Sequence, residues 1–187
     1  MKLLSCALVL AAVFVATGCQ SVRPRQIAAA QPVLDPAAFF TGRTSSSGVM
    51  ENRRGAPTQR VTTETSGRWI GDTLHLEQDL FFSSGKKQHR SWTLRRLDAH
   101  RFEGRANDVI GTIRGEASGN TFHWSFLLEL TPGNPLSRVR MSQWMYLQPD
   151  GHTLLNHSTI TKAGFVVAQV TEQFRREAKN SAKSTAR

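Results

Sequence analysis

The chain has 187 residues, two cysteines and a formal net charge of +10 at pH 7. This length suits one domain with a substantial core, and two cysteines exclude a disulfide-rich scaffold or a four-cysteine zinc site. The basic excess is compatible with a nucleic-acid partner, with an anionic membrane surface or with simple solubility.

The N-terminal segment has the pattern of an export signal. Lys2 precedes an uncharged apolar run from Leu3 to Val15, which is shorter than the roughly 20 residues of a membrane span. The order Ala16-Thr17-Gly18-Cys19 resembles the lipobox of bacterial lipoproteins. We therefore predict a signal peptide at residues 1–18 and a lipid anchor on Cys19. The alternative is a plain secretory signal with a chance cysteine, and either form of export argues against a nucleic-acid partner.

The mature chain divides into a tether, one folded domain and a tail. Residues 19–36 are rich in Ala, Gln and Pro and lack sustained periodicity, which predicts a flexible tether. Residues 37–176 are predicted to form the folded domain. Residues 177–187 are a basic tail, predicted to be a frayed helix or disordered; it either contacts a membrane surface or is a solvated terminus.

The domain is a series of short alternating segments separated by turn residues. Apolar side chains occupy every second position from Phe122 to Leu130, which predicts a strand over Thr121 to Leu130. A similar pattern covers Thr73 to Phe82. The other predicted strands are Ile110 to Ser118, Arg138 to Leu147, Thr153 to Thr161 and Phe165 to Phe174.

We predict an all-β fold from these segments. Hairpin-style turns join them and no helical pattern lies between them, which favours an antiparallel meander of about nine or ten strands. An open sheet of that size would leave unpaired edges, and closure removes them. The sequence therefore predicts a single up-and-down antiparallel β-barrel, with a two-sheet sandwich as the alternative.

The sequence has few signs of catalysis. It lacks a Gly-x-Ser-x-Gly elbow, a His-Glu-x-x-His pair and a phosphate-binding glycine loop. An enzyme would require groups such as His157, Glu116 and Lys162 to converge. We therefore regard an enzyme as less favoured than a binding module, without excluding it, and we predict no metal site and no cofactor.

Polar groups among apolar ones on predicted strands are the candidate ligand-binding residues. Arg114 and Glu116 share one strand face, with Gly111 and Gly115 opposite. If this face points inward, the pair needs mutual pairing or a polar ligand; if it points outward, it is an ordinary surface pair.

Aromatic and amide side chains complete the candidate set. Trp144 and Tyr146 lie on one face of a strand whose other face is also apolar, so they line a cavity or belong to a filled core. The next strand places polar groups on the same face as Leu154 and Ile160, where a polar ligand or an internal hydrogen-bond network must satisfy them. The remaining candidates are Trp124, Asn156, Ser158 and Lys162.

Several ordered segments resemble one family of Gram-negative proteins. They are Phe102 to Gly111, Arg114 to Glu116, Gly119-Asn120, Trp144 to Leu147, Leu154 to Ser158 and Lys162 to Phe165. The family is the domain of unknown function 3833. The resemblance implies an envelope lipoprotein with a lipocalin-like (calycin-like) barrel and no assigned activity. Its genes often lie near fatty-acid-modifying enzymes, which favours a lipid ligand.

Two features of this sequence refine what the resemblance implies. Asn107 stands where the family has an Asp beside Asp108, which weakens any case for paired carboxylates that bind a metal. Gln20 and Ser21 follow Cys19 without an Asp, which resembles a lipoprotein sorted to the outer membrane and facing the periplasm.

Three hypotheses follow from the sequence. The leading one is a tethered barrel that binds a lipid, a fatty acid or another small amphipathic molecule. The second is a structural or partner-binding lipoprotein with a filled barrel and no ligand. The third is an enzyme acting on lipid. The ligand's identity, any protein partner and the oligomeric state are not indicated by the sequence.

Overall fold

The computed structural model describes residues 22–27 and 30–177. Beside two short 3₁₀ turns, Pro24–Ile27 and Pro135–Ser137, these described residues contain one short helix, α1, at Pro36–Phe39. The strands of the described residues are β1 Gly42–Asn52, β2 Pro57–Ile70, β3 Thr73–Phe82, β4 Lys87–Arg96, β5 Arg101–Ala106, β6 Val109–Ile110, β7 Ile113–Ser118, β8 Thr121–Glu129, β9 Arg138–Leu147, β10 Thr153–Lys162 and β11 Phe165–Arg176.

The strands form a closed barrel. Each long strand pairs antiparallel with its neighbour in the chain, except that β5 passes over the short β6 to pair with β7. The first and last strands close the barrel, with Thr44 opposite Arg176 and Asn52 opposite Ala168. Ten strands make the barrel wall, and β6 is an extra strand on the edge of β8. The predicted all-β, closed up-and-down barrel is therefore confirmed, and the sandwich alternative is wrong.

One predicted strand is interrupted in the structure. The sequence predicts one continuous strand from Ile110 to Ser118, but Gly111 adopts a φ of +77° and separates β6 from β7. This left-handed conformation is accessible to glycine at little cost. Because of the break, β6 pairs with β8 at Val109–Leu128 while β7 turns back to pair with β5.

The segment before β1 packs against one end of the barrel. Leu34 is buried and its N–H donates to the Gly119 carbonyl (2.8 Å). Asp35 caps α1, accepting from the N–H of Ala37 at 3.0 Å. Phe40 then packs edge-to-face on Phe174, with ring centroids 5.5 Å apart. The described part of the predicted tether therefore covers one end of the barrel, which we name the closed end.

Close backbone approach explains one glycine at this end. A Cβ on Gly67 of β2 would lie 2.0 Å from the carbonyl oxygen of Phe40. Only a residue without a side chain leaves room for the chain to cross the barrel end here.

Some predicted features lie outside the described residues. These are the signal peptide at 1–18, the lipidated Cys19 and the tail beyond residue 177, and they stay predictions. In the part of the chain that the structure describes, no helix has the length and apolar character needed to cross a membrane.

Candidate functional site: the barrel interior

The interior of the barrel has two chemically different walls. We define the polar wall as the inward-facing residues of β1, β2, β10 and β11, and the aromatic wall as those of β4, β5 and β8. The polar wall carries the buried residues Thr44, Ser46, Thr63, Thr65, Asn156, Ser158 and Glu172. The aromatic wall carries the buried rings of Trp92, Phe102, Phe122, Trp124 and Phe126.

The aromatic wall is a packed array of rings. Trp92 and Trp124 stack with centroids 5.3 Å apart and planes 16° from parallel. Phe126 meets both indoles edge-on, and Phe122 meets Phe102 edge-on at 5.7 Å. These offset and T-shaped geometries are the favoured ones for aromatic pairs. The wall is therefore a rigid apolar surface.

A hydrogen-bond chain connects the aromatic wall to the polar wall. The indole Nε1 of Trp124 donates to Gln143 Oε1 at 2.7 Å, and Gln143 Nε2 donates to Ser158 Oγ at 3.2 Å. Asn156 Nδ2 donates to the same Ser158 oxygen at 3.1 Å. Each polar group along this path is thus satisfied inside the barrel, as burial requires.

The chain ends at a buried carboxyl group. Asn156 Nδ2 lies 3.4 Å from Glu172 Oε2, and Ser46 Oγ donates to Glu172 Oε1. Ser46 also shares a hydrogen bond with Thr63 at 2.5 Å. Burial raises the pKa of Glu172, and its hydrogen bonds to Ser46 and Asn156 oppose that rise only in part. The carboxyl therefore holds its proton to higher pH than an exposed glutamate.

A cavity of about 320 Å³ lies between the two walls. Apolar side chains from both walls supply most of its lining, and Gln143 and Glu172 supply polar groups from the hydrogen-bond chain. Thr65 also lines the cavity, and its buried Oγ1 has no hydrogen-bond partner among the described residues. Further apolar lining residues are Val61, Leu76, Leu80, Leu128, Met141, Met145, Ile160 and Val170.

A nearly buried ion pair lies beside the cavity. Arg90 lines it and contacts Asp108 Oδ2 through Nε at 2.8 Å and Nη2 at 2.6 Å. The guanidinium also lies over the ring of Trp92, 5.4 Å from its centroid. Asp108 Oδ1 is buried without a partner in the described residues. The aromatic wall thus carries a fixed cation, the Arg90 guanidinium, toward the end of the barrel opposite the closed end.

Three of the sequence-predicted residues meet in this interior. Trp124 lines the cavity directly. Asn156 and Ser158 are fully buried behind Gln143 and Glu172 and hold those two side chains by hydrogen bonds. The open question about this strand is answered at Asn156 and Ser158, because an internal network satisfies both.

Trp144 and Tyr146 do not line the cavity, which corrects their proposed placement. Met141 and Met145 of the same strand point inward, so the alternation of β9 sends the two aromatic rings outward. There Trp144 packs on His123 with centroids 4.3 Å apart, and it stacks on Tyr146 at 6.4 Å. They form a half-buried outer cluster.

Arg114, Glu116 and Lys162 also lie outside the interior, which corrects their placement in a pocket. Gly115 points inward from β7, so its neighbours Arg114 and Glu116 point outward, and Glu116 pairs with Arg25. Lys162 is exposed because it is the last residue of β10, where the strand leaves the barrel wall. The register shift after Ile160 lies in the pairing with β11, and β10 keeps a regular register with β9. The outward alternative for the Arg114–Glu116 face is the one observed.

Sequence reasoning missed the polar residues contributed by β1, β2 and β11. Ser46 and Thr63 lie in Ser- and Thr-rich strands where no apolar alternation marks the inward face. A signal for Glu172 did exist, because Val170, Glu172 and Phe174 alternate with Thr171 and Gln173. A glutamate between two apolar residues of period two points into the core.

The groups named for an enzyme do not converge. Glu116 and His157 lie in one outward row across four strands, separated by His123 and Trp144. Three strand spacings of about 4.8 Å keep them roughly 14 Å apart along the sheet. Lys162 lies at the strand end, away from this row. Among the described residues no group of three or more His, Cys, Asp or Glu side chains is placed to hold a metal ion.

The barrel is similar to two solved structures. It matches the S-type phycobiliprotein lyase CPES from Guillardia theta with a TM-score of 0.57 and 9% identity, over 76% of this chain and 90% of that chain. It matches Rv2717c from M. tuberculosis with a TM-score of 0.53 and 14% identity, over 78% of this chain and 99% of that chain. At these identities the likeness shows a common fold alone.

Comparison with curated proteins gives no match. A family model described as a protein of unknown function, DUF3833, matches residues 13–176. That match spans the whole barrel and reaches into the N-terminal segment, as the ordered segments from Phe102 to Phe165 predicted. The chain therefore belongs to the DUF3833 family.

Proposed function

We propose that the barrel binds one small amphipathic molecule in the cavity between its two walls. The observation that carries the proposal is the cavity itself, about 320 Å³, lined by apolar side chains and entered by Glu172 and Gln143. A structural barrel without a ligand would be filled by its own side chains. Small-molecule sites typically combine apolar walls with a few placed polar groups, and this cavity has that composition.

The walls favour a ligand with an apolar body and one hydrogen-bonding group. The stacked face of Trp92 and Trp124 suits an acyl chain or a flat ring. The Thr65 hydroxyl needs a partner, and the carboxyl group of Glu172, when protonated, has an O–H to donate. A polar headgroup or alcohol placed against the polar wall supplies both partners.

The size of the cavity limits the ligand. Pockets for drug-sized molecules range from about 300 to 1,000 Å³, and this one lies at the lower end. A single acyl chain or a comparably small molecule fits that range better than a lipid with two chains. A fatty acid is therefore the lipid that we propose first.

We also propose that the barrel is held at the inner surface of an outer membrane by lipid on Cys19. The support is the sequence Ala16-Thr17-Gly18-Cys19 and the residues that follow it. An anchored barrel would meet its ligand at the membrane that supplies it. A fatty acid or similar amphiphile from the envelope is then the natural occupant.

The test is native mass spectrometry of the full chain purified from its own envelope, followed by uptake of a fluorescent fatty acid. We expect a co-purifying species of a few hundred daltons, in line with the pocket sizes above. Ile160→Trp places an indole in the cavity and should weaken uptake at least about tenfold. Leu155→Trp, on the outward face of the same strand, is the matched control and should leave uptake unchanged.

Two outcomes would contradict the proposal. One is a clean apo mass together with no uptake by the unmodified chain, which would favour the structural or partner-binding alternative. The other is equal loss of uptake in both variants while each keeps its native near-UV circular dichroism. A variant that loses this spectrum is replaced by Met141→Phe, a smaller change on the neighbouring strand that also lines the cavity.

A further inference from the structure

The turns at the open end of the barrel form a basic rim. We define the rim as five connections between strands of the barrel wall, each with the strand residue on either side. They are 53–56, 83–86, 107–112 (which includes the short β6), 130–137 and 163–164. It contains six basic side chains and two acidic ones. The acidic two, Asp108 and Glu129, are both in ion pairs, with Arg90 and Arg138. Five cations have no ion-pair partner among the described residues: Arg53, Arg54, Lys86, Lys87 and Lys162.

Large apolar side chains project from the same rim. Leu136 is 82% exposed and Phe165 is 75% exposed, and Leu130 beside them is 61% exposed. They lie on the β8–β9 and β10–β11 connections, which are adjacent because β9 pairs with β10. Contiguous exposed apolar groups on a soluble surface mark a contact site.

The four turns at the closed end have the opposite charge balance from the connections of the rim. Its turns at 71–72, 97–100, 119–120 and 148–152, counted with the same flanking residues, hold two basic and three acidic side chains. Both basic ones are paired, Arg96 with Asp35 and Arg101 with Asp98. The backbone N–H of His100 is the largest cause that lowers the pKa of Asp98 to about 2, so this carboxylate stays ionised. At the ends of β1 and β11 on this side, Arg43, Arg175 and Arg176 also have no ion-pair partner among the described residues. The rim is therefore distinguished by the combination of unpaired cations in its connections with the strongly exposed side chains of Leu136 and Phe165.

We propose that the rim contacts the surface of an anionic phospholipid bilayer, so that the mouth of the cavity faces lipid. The unpaired cations would meet lipid phosphates, and the exposed side chains of Leu136 and Phe165 would enter the headgroup region. A second copy of this chain is a poorer occupant, because a two-fold contact would place cations against cations. The inference does not depend on whether the cavity holds a ligand.

This contact combines two forces of known size. Each Lys or Arg near an anionic leaflet contributes about fivefold to the equilibrium constant for contact, and the contribution decays within a Debye length. Apolar side chains at the interface add affinity that salt does not screen. Contact through the rim should therefore weaken with salt and require anionic lipid.

The experiment uses the full chain on vesicles of phosphatidylglycerol with brominated acyl chains. Phe165→Trp places an indole on the rim, and Ile70→Trp places one at the closed end, where Ile70 is also exposed. The N-terminal segment is the same in both variants, so only the end facing the lipid differs. We expect bromine quenching of the added indole in Phe165→Trp and none in Ile70→Trp. Adding Lys162→Gln to Phe165→Trp should lower the rim-contact constant about fivefold.

Brominated phosphatidylcholine and 1 M salt serve as the lipid and ionic controls, and both should reduce the quenching in Phe165→Trp. Equal quenching in the two variants, or greater quenching in Ile70→Trp, would overturn the proposal. Quenching in Phe165→Trp that persists unchanged on phosphatidylcholine would overturn its anionic part. Absence of quenching with a concentration-dependent rise in sedimentation coefficient would show that a second copy covers the rim.

Discussion

The two walls of this barrel solve the problem of a buried surface in different ways. The aromatic wall fills its side with rings at favoured angles, such as Trp92 on Trp124. The polar wall instead buries hydroxyl, amide and carboxyl groups, which demands a partner for each. A continuous run of hydrogen bonds meets that demand from Glu172 to Gln143.

The difference shows how the interior supports stability and a site at once. Rings that interlock leave little space between them and each bury a large apolar surface. Short polar side chains such as Thr63 and Thr65 occupy less volume, and both line the cavity. The aromatic wall therefore maintains the shape of the barrel, while the polar wall provides space for the cavity and hydrogen-bonding groups for a ligand.

The largest effect is expected from removing a ring of the aromatic wall. Phe122→Ala should lower the free energy of unfolding by about 3–5 kcal/mol, because Phe122 is 1% exposed and contacts the rings of Phe102 and Trp124. Urea denaturation of the two proteins measures the change. Phe165→Ala, at an exposed ring, should stay within about 0.5 kcal/mol. Similar losses in both variants would show that the wall is not the stabilising element.

A smaller effect should distinguish how tightly the two walls are packed at their glycines. A Cβ on Gly48 would lie 2.6 Å from the Thr171 carbonyl oxygen and 2.9 Å from Glu172 Cβ. Gly48→Ala should therefore cost about 1–3 kcal/mol. The matched change on the aromatic wall is Gly104→Ala, whose Cβ would lie 3.2 Å from Trp124 Cζ3, a contact that a small ring shift relieves.

The same denaturation assay compares the two glycine variants. Equal costs, or a larger cost for Gly104→Ala, would contradict a tight fit around Glu172. A change in the slope of the unfolding transition would indicate an altered denatured state and would call for thermal melting as a second measure.

The aromatic wall could be predicted from the sequence, whereas much of the polar wall could not. Alternation in Thr121 to Leu130 marks one face of β8 as apolar, and the structure buries Phe122, Trp124, Phe126 and Leu128 there. The period of two fixes which residues share a face. It does not say which neighbouring strand they meet, so the stacking of Trp124 on Trp92 needed the closed sheet.

Residues with no apolar contrast around them carried too little information. The run Thr44-Ser45-Ser46-Ser47 has hydroxyls on both faces, and only barrel closure decides that Ser46 points inward. Trp144 presents the reverse case, with apolar residues on both faces of β9. Lys162 has the same parity as Ile160, but it is the last residue of β10 and its side chain is exposed. Sequence patterning fails where a uniform strand removes the contrast or where a strand ends.

The subtlest prediction concerns the pH dependence that the polar wall imposes on stability. Burial raises the pKa of Glu172 above the ordinary 4.5, so its contribution to stability is complete below that pH and is lost as the pH rises through the folded-state pKa. Glu172→Gln keeps the shape and cannot ionise. The two proteins should match at acid pH, and the variant should gain relative stability as the pH rises.

Urea denaturation from pH 4 to pH 9 measures this difference, and all other titrating groups cancel because both proteins contain them. Hydrogen bonds lower the pKa values of Asp98 and Asp150 to about 2, so their contribution to the stability of the protein is lost as the pH falls. That loss is the same in both proteins. A difference that is flat with pH would mean that Glu172 titrates like an exposed carboxyl group. The polar wall would then admit water at Ser46 and Asn156, and its distinction from the aromatic wall would be one of hydration rather than of internal hydrogen bonding.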